Sequence, residues 1–77
     1  MPISYDPLWR LLRNRKMKKK ELMALSGVSK STLIHMWHKD YVALSVIDRI
    51  CTALDCEIQD VVKHKKERIN QEDDILM

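Results

Sequence analysis

The apolar positions of this chain recur every three or four residues, the spacing that places side chains on one face of an α-helix. The first such stretch contains Leu8, Leu11 and Leu12. Asp6 is a good N-cap before it, and Pro7 suits the first helical position, where its missing amide proton costs nothing. The pattern therefore predicts a first helix from about residue 6 that fades near residues 14–16.

The central stretch, residues 22–38, contains two shorter apolar patterns on either side of the one glycine in the chain. Gly27 suits the left-handed backbone of a tight turn, Val28 is placed to fill the corner, and Ser29 stands where an N-cap is expected. The next helix has an apolar face of Leu33, Met36 and Trp37 and an outward face of Ser31, Ile34, His35 and His38. This pattern is typical of a helix-turn-helix whose second helix contacts base edges in the major groove. The alternative is an ordinary helical hairpin.

Two further helices are predicted beyond residue 43. Ser45 followed by Asp48 matches an N-cap with an acid at the third helical position. The inward stripe of this helix would be Leu44, Ile47, Ile50, Cys51 and Leu54. A short fifth helix is indicated by Ile58, Val61 and Val62. The sequence therefore predicts an all-α fold of five helices.

These segments resemble the Cro and phage-repressor-like (XRE-type) helix-turn-helix family of transcriptional regulators over about residues 6–64. The matching positions are residues 44–47, 50–56 and 58–62 together with Leu22, Gly27, Val28, Leu33 and Met36. Three positions depart from the family pattern: Met23 replaces a small alanine, Lys18 replaces a Thr or Ser cap, and Lys39 replaces a helix-ending glycine. The resemblance implies a compact, lambda-repressor-like domain that binds double-stranded DNA with the helix at residues 29–38.

The resemblance also implies how the chain is organised and what it does. It indicates a DNA-binding domain at residues 1–66, with its motif at about 19–38. Residues 67–77 would form a tail that is either flexible or an arm of a dimer. The implied function is transcription regulation, with repression expected, by a homodimer on a palindromic operator. The last helix, or the residues beyond it, would pair the two copies.

The charges of the chain are unevenly distributed. Residues 1–39 carry nine Lys and Arg against two acids, a net +7, whereas residues 40–77 carry five against nine, a net −4. A basic half that contains the motif suits a polyanionic partner. Lys18, Lys19 and Lys20 would begin the second helix, where cations oppose the helix dipole and a phosphate would relieve the repulsion. The alternative is a basic surface that is only solvated.

The helix faces and the resemblance together assign candidate contact residues. Base edges would be contacted by Lys30, Ser31, Thr32, Ile34, His35 and His38, with Ile34 near a thymine methyl group. The phosphate backbone would be contacted by Lys18, Lys19, Lys20, Ser29, Lys39 and Tyr41. A second interpretation is a protein-interaction module that keeps the fold without DNA binding, since Ile34 and Trp37 lie near an exposed surface.

The sequence does not indicate an enzyme, a metal site or a cofactor. It contains one glycine, too few for a phosphate-binding loop, and no local signature that joins Ser, His and Asp. A zinc site could be imagined from His35, His38, Cys51 and Cys56. Because the histidines face outward and Cys51 faces inward on another helix, metal binding is not expected. A small-molecule effector site is not expected either.

The cellular compartment is inferred from the start of the chain and its hydropathy. The chain shows neither a signal peptide nor an apolar run long enough to cross a bilayer, so we expect it to lie in the cytoplasm and not in a membrane. Cysteines in that compartment are normally reduced. Cys51 and Cys56 are therefore expected to be thiols and not a disulfide.

Overall fold

The structure, a computed structural model, describes residues 2–65. Its four α-helices are α1 Asp6–Asn14, α2 Lys19–Ser26, α3 Lys30–Trp37 and α4 Leu44–Leu54. A 3-10 turn, Ile58–Asp60, follows α4. Strands β1 Ile3–Ser4 and β2 Lys63–His64 pair in antiparallel fashion, with Ile3 opposite His64. The fold is all-α, as predicted, with one short strand pair joining the two ends of the described chain.

One hydrophobic core lies between the helices. Its buried apolar residues are Tyr5, Leu8, Leu12, Leu22, Val28, Leu33, Met36, Ile47, Ile50, Leu54 and Val61. Helices α1, α3 and α4 contribute buried residues spaced three or four apart, because only one face of each helix is turned inward, and α2 contributes Leu22. Full burial of one such side chain stabilises the fold by about 1.5–3 kcal/mol. The core therefore fixes which face of α3 remains outside.

Two predicted helix starts differ from the observed ones. Asp6 is the first helical residue and not the N-cap; Tyr5 occupies that position, and the Asp6 N–H donates to the Ser4 hydroxyl oxygen (3.2 Å). Helix α4 begins at Leu44, one residue before the predicted cap, with Ala43 at the N-cap position and no side-chain cap. Ser45 therefore lies inside the helix. Leu44, predicted to face inward, is 74% exposed, whereas Ile47, three residues later, is buried as predicted.

Each of the four described helices is followed within two residues by a residue with left-handed backbone, although only one of these residues is glycine. The residues are Gly27 (φ +74°), Lys39 (φ +66°), Lys16 (φ +54°) and Asp55 (φ +50°). After α3, the Lys39 N–H donates to the Met36 carbonyl (3.0 Å) and the Asp40 N–H to the His35 carbonyl (2.9 Å). These two bonds form a Schellman motif. A lysine therefore holds a position where glycine would be less strained.

The segment after α4 is not the predicted fifth helix. It forms a single 3-10 turn, Ile58–Asp60, and then extends into β2. Val61 is fully buried, and its carbonyl accepts a hydrogen bond from the Leu8 N–H (3.3 Å). The segment therefore packs against the start of α1. Its last residues form backbone hydrogen bonds with β1 in place of those that a fifth helix would form within itself.

Some predictions about the chain ends lie outside the described residues. The tail at residues 67–77 belongs to this group, so its predicted role as a flexible segment or dimer arm stays a prediction. Within residues 2–65, none of the helices has the length and apolar character needed to cross a bilayer.

Candidate nucleic-acid interface

The turn between α2 and α3 is built around Gly27. Its left-handed backbone ends α2, and its N–H donates to the Met23 carbonyl (2.9 Å). The Ser26 hydroxyl donates to the Leu22 carbonyl (2.7 Å) and accepts from the Val28 N–H (3.2 Å). Val28 is buried at the corner, as predicted. These contacts set how α3 leaves the turn and confirm the predicted helix-turn-helix arrangement.

Helix α3 begins with the predicted serine cap. The Ser29 hydroxyl oxygen accepts a hydrogen bond from the Thr32 N–H (3.2 Å) and lies 2.9 Å from the Thr32 hydroxyl oxygen. Thr32 is half-buried, unlike the exposed Lys30 and Ser31 that precede it. Because Thr32 is half-buried and its hydroxyl is bonded to Ser29, it has less capacity to contact a base than Lys30. The hydroxyl of the exposed Ser31 lies farther from that of Ser29, at 3.4 Å.

The outward face of α3 carries most of the predicted base-contacting residues. Exposed side chains along it are Lys30, Ser31, Ile34, His35 and His38, the last at the C-cap. Leu33 and Met36 on the opposite face are buried, as predicted. Trp37, which the sequence places on the apolar face but near an exposed surface, is 56% exposed.

Trp37 lies against a second tryptophan and a lysine at the edge of the core. Its ring packs edge-on against Trp9 of α1, with ring centroids 5.5 Å apart and planes inclined by 65°. The Lys19 ammonium lies over both rings, 4.0 Å from the Trp37 centroid and 5.3 Å from the Trp9 centroid. Aromatic faces attract cations, so the two rings hold Lys19 at the start of α2. We call these three residues the tryptophan–lysine cluster.

The lysines at the start of α2 lie beside α3. An open groove of ≈ 610 Å³ is lined by Lys19, Lys20, Met23, Lys30, Leu33, Ile34, Trp37 and His38. Lys18, also exposed, occupies the N-cap position, where its backbone N–H donates to the Glu21 carboxylate (3.4 Å). A lysine side chain has no acceptor, so this is only half of a capping box. The structure thus brings two of the four predicted phosphate-contacting lysines into one groove with three predicted base-contacting residues.

The end of α3 holds the remaining candidates. Lys39 and Tyr41 are both exposed in the segment after the helix. The Tyr5 hydroxyl donates to the Asp40 carbonyl (2.9 Å), and burial raises the pKa of Tyr5, which favours its role as a donor. The His35 Nδ1 lies 3.1 Å from the Asp40 carboxylate oxygen Oδ2.

Two features of this surface were not assigned from the sequence. Arg10 and Arg13 of α1 line a groove together with Lys39 and Trp37, which adds two guanidinium groups to the basic surface. Their spacing of three residues on the polar side of α1 is a signal that could have identified them. The contact of Asp40 with His35 depends on the turn after α3, and no sequence pattern indicates it.

The two cysteines lie away from these residues, at the end of α4. Both are half-buried thiols, not joined in a disulfide. Burial raises the pKa of both, and that of Cys56 to about 11. Among residues 2–65, no three His, Cys, Asp or Glu side chains are grouped so that they could hold a metal ion.

Comparison with known proteins identifies the family. Residues 7–67 match the Cro/C1-type HTH DNA-binding domain. The chain belongs to this family. The resemblance drawn from the motif is thereby confirmed, and the protein carries the DNA-binding domain of a transcriptional regulator.

A solved structure supports the same assignment. The chain is similar to the transcriptional regulator VanUg in its crystal form II, with a TM-score of 0.78 and 41% sequence identity. The similarity covers 86% of this chain and 88% of that chain. A search of curated proteins found no match. The all-α fold of this Cro/C1-type domain is therefore shared with a regulator along nearly its whole length.

Proposed function

We propose that this Cro/C1-type protein regulates transcription by binding a specific double-stranded DNA site with α3 in the major groove. The observation that carries the proposal is the exposed face of α3 beside the lysines of α2. Lys30, Ser31 and His35 are all exposed there and take no part in the core. Side chains of this kind can form hydrogen bonds with base edges, while flanking lysines bind phosphates.

The contact residues divide into two groups under this proposal. Base edges are contacted by Lys30, Ser31, Ile34, His35 and His38, with Thr32 in a lesser role because its hydroxyl is engaged with Ser29. Phosphates are contacted by Lys18, Lys19, Lys20, Ser29, Lys39 and Tyr41, and also by Arg10 and Arg13. The phosphate contacts set the position of α3, and the base contacts provide the sequence preference.

We further propose that two copies bind a palindromic operator and that occupancy represses transcription in the cytoplasm. One α3 spans only a few base pairs, whereas two related by a twofold axis contact two half-sites. Twofold dimers are also the commonest protein oligomers. This arrangement gives a small domain the specificity that one helix lacks.

The test is the salt dependence of binding to DNA. When binding releases counterions, the logarithm of the binding constant falls linearly with the logarithm of the salt concentration. The slope has a magnitude of about 0.9 per phosphate contact on B-DNA. Changing Lys18, Lys19 and Lys20 to alanine together should weaken binding to all sequences. The slope should fall by about one unit for each phosphate that the variant no longer binds.

The matched control removes three cations from outside the motif. Arg49, Lys63 and Lys65 are exposed, and their joint change to alanine alters the net charge equally. The slope should then stay close to that of the unchanged protein. Equal slopes in both triple variants would show that the lysines of α2 are only solvated.

A protein-interaction module is the second candidate function. It is favoured by two exposed apolar side chains on or beside the outward face, Ile34 (46% exposed) and Trp37 (56% exposed). Binding to a protein partner through these residues would show a weak dependence on salt. Failure to bind any duplex in a site selection at low salt would favour this candidate.

A further inference from the structure

The contact between His35 and Asp40 lies on the face of α3 that we propose to meet DNA. His35 is in the last turn of α3, and Asp40 is in the second position beyond the C-cap. The imidazole Nδ1 and the carboxylate Oδ2 are 3.1 Å apart, and the two side chains are 63% and 57% exposed. An exposed pair of this kind adds little to stability. The more important effect of the pair is on which imidazole nitrogen of His35 carries the proton.

The backbone of Asp40 is held from two directions. Its N–H donates to the His35 carbonyl (2.9 Å), and its carbonyl accepts from the hydroxyl of the buried Tyr5 (2.9 Å). Lys39, just before it, adopts the left-handed backbone that makes this turn possible. The backbone that carries this carboxylate is therefore fixed beside α3 by contacts that reach the core.

The chemistry of the pair determines which ring nitrogen of His35 carries the proton. An ionised carboxylate can only accept hydrogen bonds, so Nδ1 must be the donor. In the neutral imidazole, Nε2 then has an unshared electron pair and acts as an acceptor. A neutral histidine without such a partner favours the opposite tautomer, with the proton on Nε2. Asp40 thus reverses the hydrogen-bonding character of the nitrogen that remains available.

We propose that Asp40 is a positioning residue that makes His35 an acceptor for an exocyclic amino group in the major groove. The amino groups available there are N6 of adenine and N4 of cytosine, whereas guanine and thymine present only acceptors or a methyl group. His35 would therefore prefer adenine or cytosine at the base it faces. This inference rests on the proposed function, since it assumes that the outward face of α3 meets DNA.

The first test needs no DNA. In the full chain labelled with nitrogen-15, the imidazole spectrum at pH 8.5, where histidines in general are neutral, distinguishes the two tautomers. His35 should carry its proton on Nδ1, and Asp40→Ala should move the proton to Nε2. His38, which lies on the same face, is the internal reference and should not change. A proton on Nε2 of His35 in the unchanged protein would overturn the proposal.

The second test measures base preference. Site selection identifies the base pair that His35 faces as the position where His35→Ala loses its preference. Because A·T and G·C pairs both carry an exocyclic amino group in the major groove, the decisive measurement removes that group, with purine in place of adenine or 2-pyrimidinone in place of cytosine. Binding of the unchanged protein should then weaken by about tenfold, whereas binding of His35→Ala should not change. Asp40→Ala should reduce the preference at this position by about tenfold and leave the other positions unchanged. Asp48→Ala is the matched control, because it removes an exposed acid from α4 and should preserve the preference.

The outcomes separate this inference from the proposed function. If the unchanged protein selects no DNA sequence, the proposed function fails, whatever the tautomer of His35. If it selects a sequence but binds equally well when the exocyclic amino group at this base pair is removed, the acceptor role of His35 is overturned. An Asp40→Ala variant with the same tautomer and the same base preference as the unchanged protein would overturn the positioning role of Asp40.

Discussion

Lys16 shows how one residue can store strain at a helix end. It follows α1 with a φ of +54° and makes the turn that glycine usually makes. For an ordinary residue, left-handed backbone destabilises the folded state by about 1–2 kcal/mol. Glycine avoids this strain but lowers stability by about 0.4–1 kcal/mol, because it gives the unfolded chain more conformational freedom. We therefore expect Lys16→Gly to raise the free energy of unfolding by about 0.5–1 kcal/mol, measured by urea denaturation.

Two variants control for other causes of that change. Lys16→Ala removes the same charge but keeps the strain, so it should bring no gain. Gly27→Ala is the opposite case: an added Cβ would meet no atom within 4 Å, so only the backbone opposes it. It should lower stability by about 1 kcal/mol. Equal gains in both Lys16 variants would mean that charge, and not backbone strain, is responsible.

The thiols at the end of α4 should react slowly. Burial raises the pKa of Cys51 and Cys56, the latter to about 11, and only the thiolate is strongly nucleophilic. Alkylation by iodoacetamide, followed against pH, should therefore show a higher midpoint in the native protein than in urea. Cys51→Ala leaves Cys56 as the single thiol. Burial still raises the pKa of Cys56 in this variant, but the contribution of Cys51 is lost, so the native midpoint should stay above that in urea by a smaller margin. Equal midpoints in native and unfolded protein would contradict the prediction.

The same shift has a consequence for stability at high pH. Because the folded pKa is raised, the unfolded chain loses its thiol proton first as pH increases. The contribution of Cys56 to stability is therefore complete below the ordinary value of 9.0 and is lost as pH rises toward about 11. The free energy of unfolding should therefore decrease over this pH range, because folding stabilises the protonated thiol.

At the scale of the helices, two serines test the importance of capping. Ser29 accepts the Thr32 N–H at the start of α3, whereas Ser45 lies inside α4 and does not cap it. Ser29→Ala should lower the free energy of unfolding by about 1 kcal/mol. Ser45→Ala should leave it unchanged or raise it by a few tenths, since alanine favours helix. Thermal and urea denaturation of both variants make the comparison, and equal losses would contradict the assigned cap.

The two faces of α3 should respond oppositely to truncation. His35 is exposed, so His35→Ala should change the free energy of unfolding by less than about 0.5 kcal/mol. It should cost about 1–3 kcal/mol in binding to the cognate site. Leu33 is buried, so Leu33→Ala should lower stability by about 2–5 kcal/mol. A His35→Ala variant that unfolds, with Leu33→Ala stable, would reverse the assignment of the faces.

Much of the fold was predictable from the sequence because the spacing of apolar residues along a helix identifies the face that will be buried. Leu33 and Met36 are buried where the pattern placed them. Trp37 is 56% exposed and packs edge-on against Trp9 of α1, a contact between two helices that local spacing does not encode. The 3-10 turn at residues 58–60 could not be predicted from local spacing either. It leads into β2, whose pairing with β1 joins residues about sixty positions apart.

The candidate site was predictable to a similar extent and for a similar reason. The outward face of α3 follows from the same spacing that places its inward face in the core. The partner of His35 does not follow from it. Asp40 reaches His35 because Lys39 adopts left-handed backbone. The family resemblance places Lys39 at the position of a helix-ending glycine, but a lysine side chain does not itself favour this conformation.

For the whole molecule, the main prediction concerns assembly on DNA. If two copies bind one operator, the half-sites should be centred about 34–36 Å apart, one turn of the double helix. Site selection should return a palindrome with that spacing, and light scattering should give the mass of two chains on the duplex. A complex with one chain at saturating protein would contradict the dimer.

The tryptophan–lysine cluster also provides an intrinsic spectroscopic signal for unfolding and binding. The chain has two tryptophans, and both lie in this cluster with ring centroids 5.5 Å apart. All indole emission therefore comes from one place, where α1, α2 and α3 meet. Rings this close and steeply inclined also couple their electronic transitions, which gives a circular dichroism signal that vanishes when the helices separate. Withdrawal of Lys19 toward a phosphate would change the emission without separating the rings, so unlabelled protein can distinguish unfolding from binding.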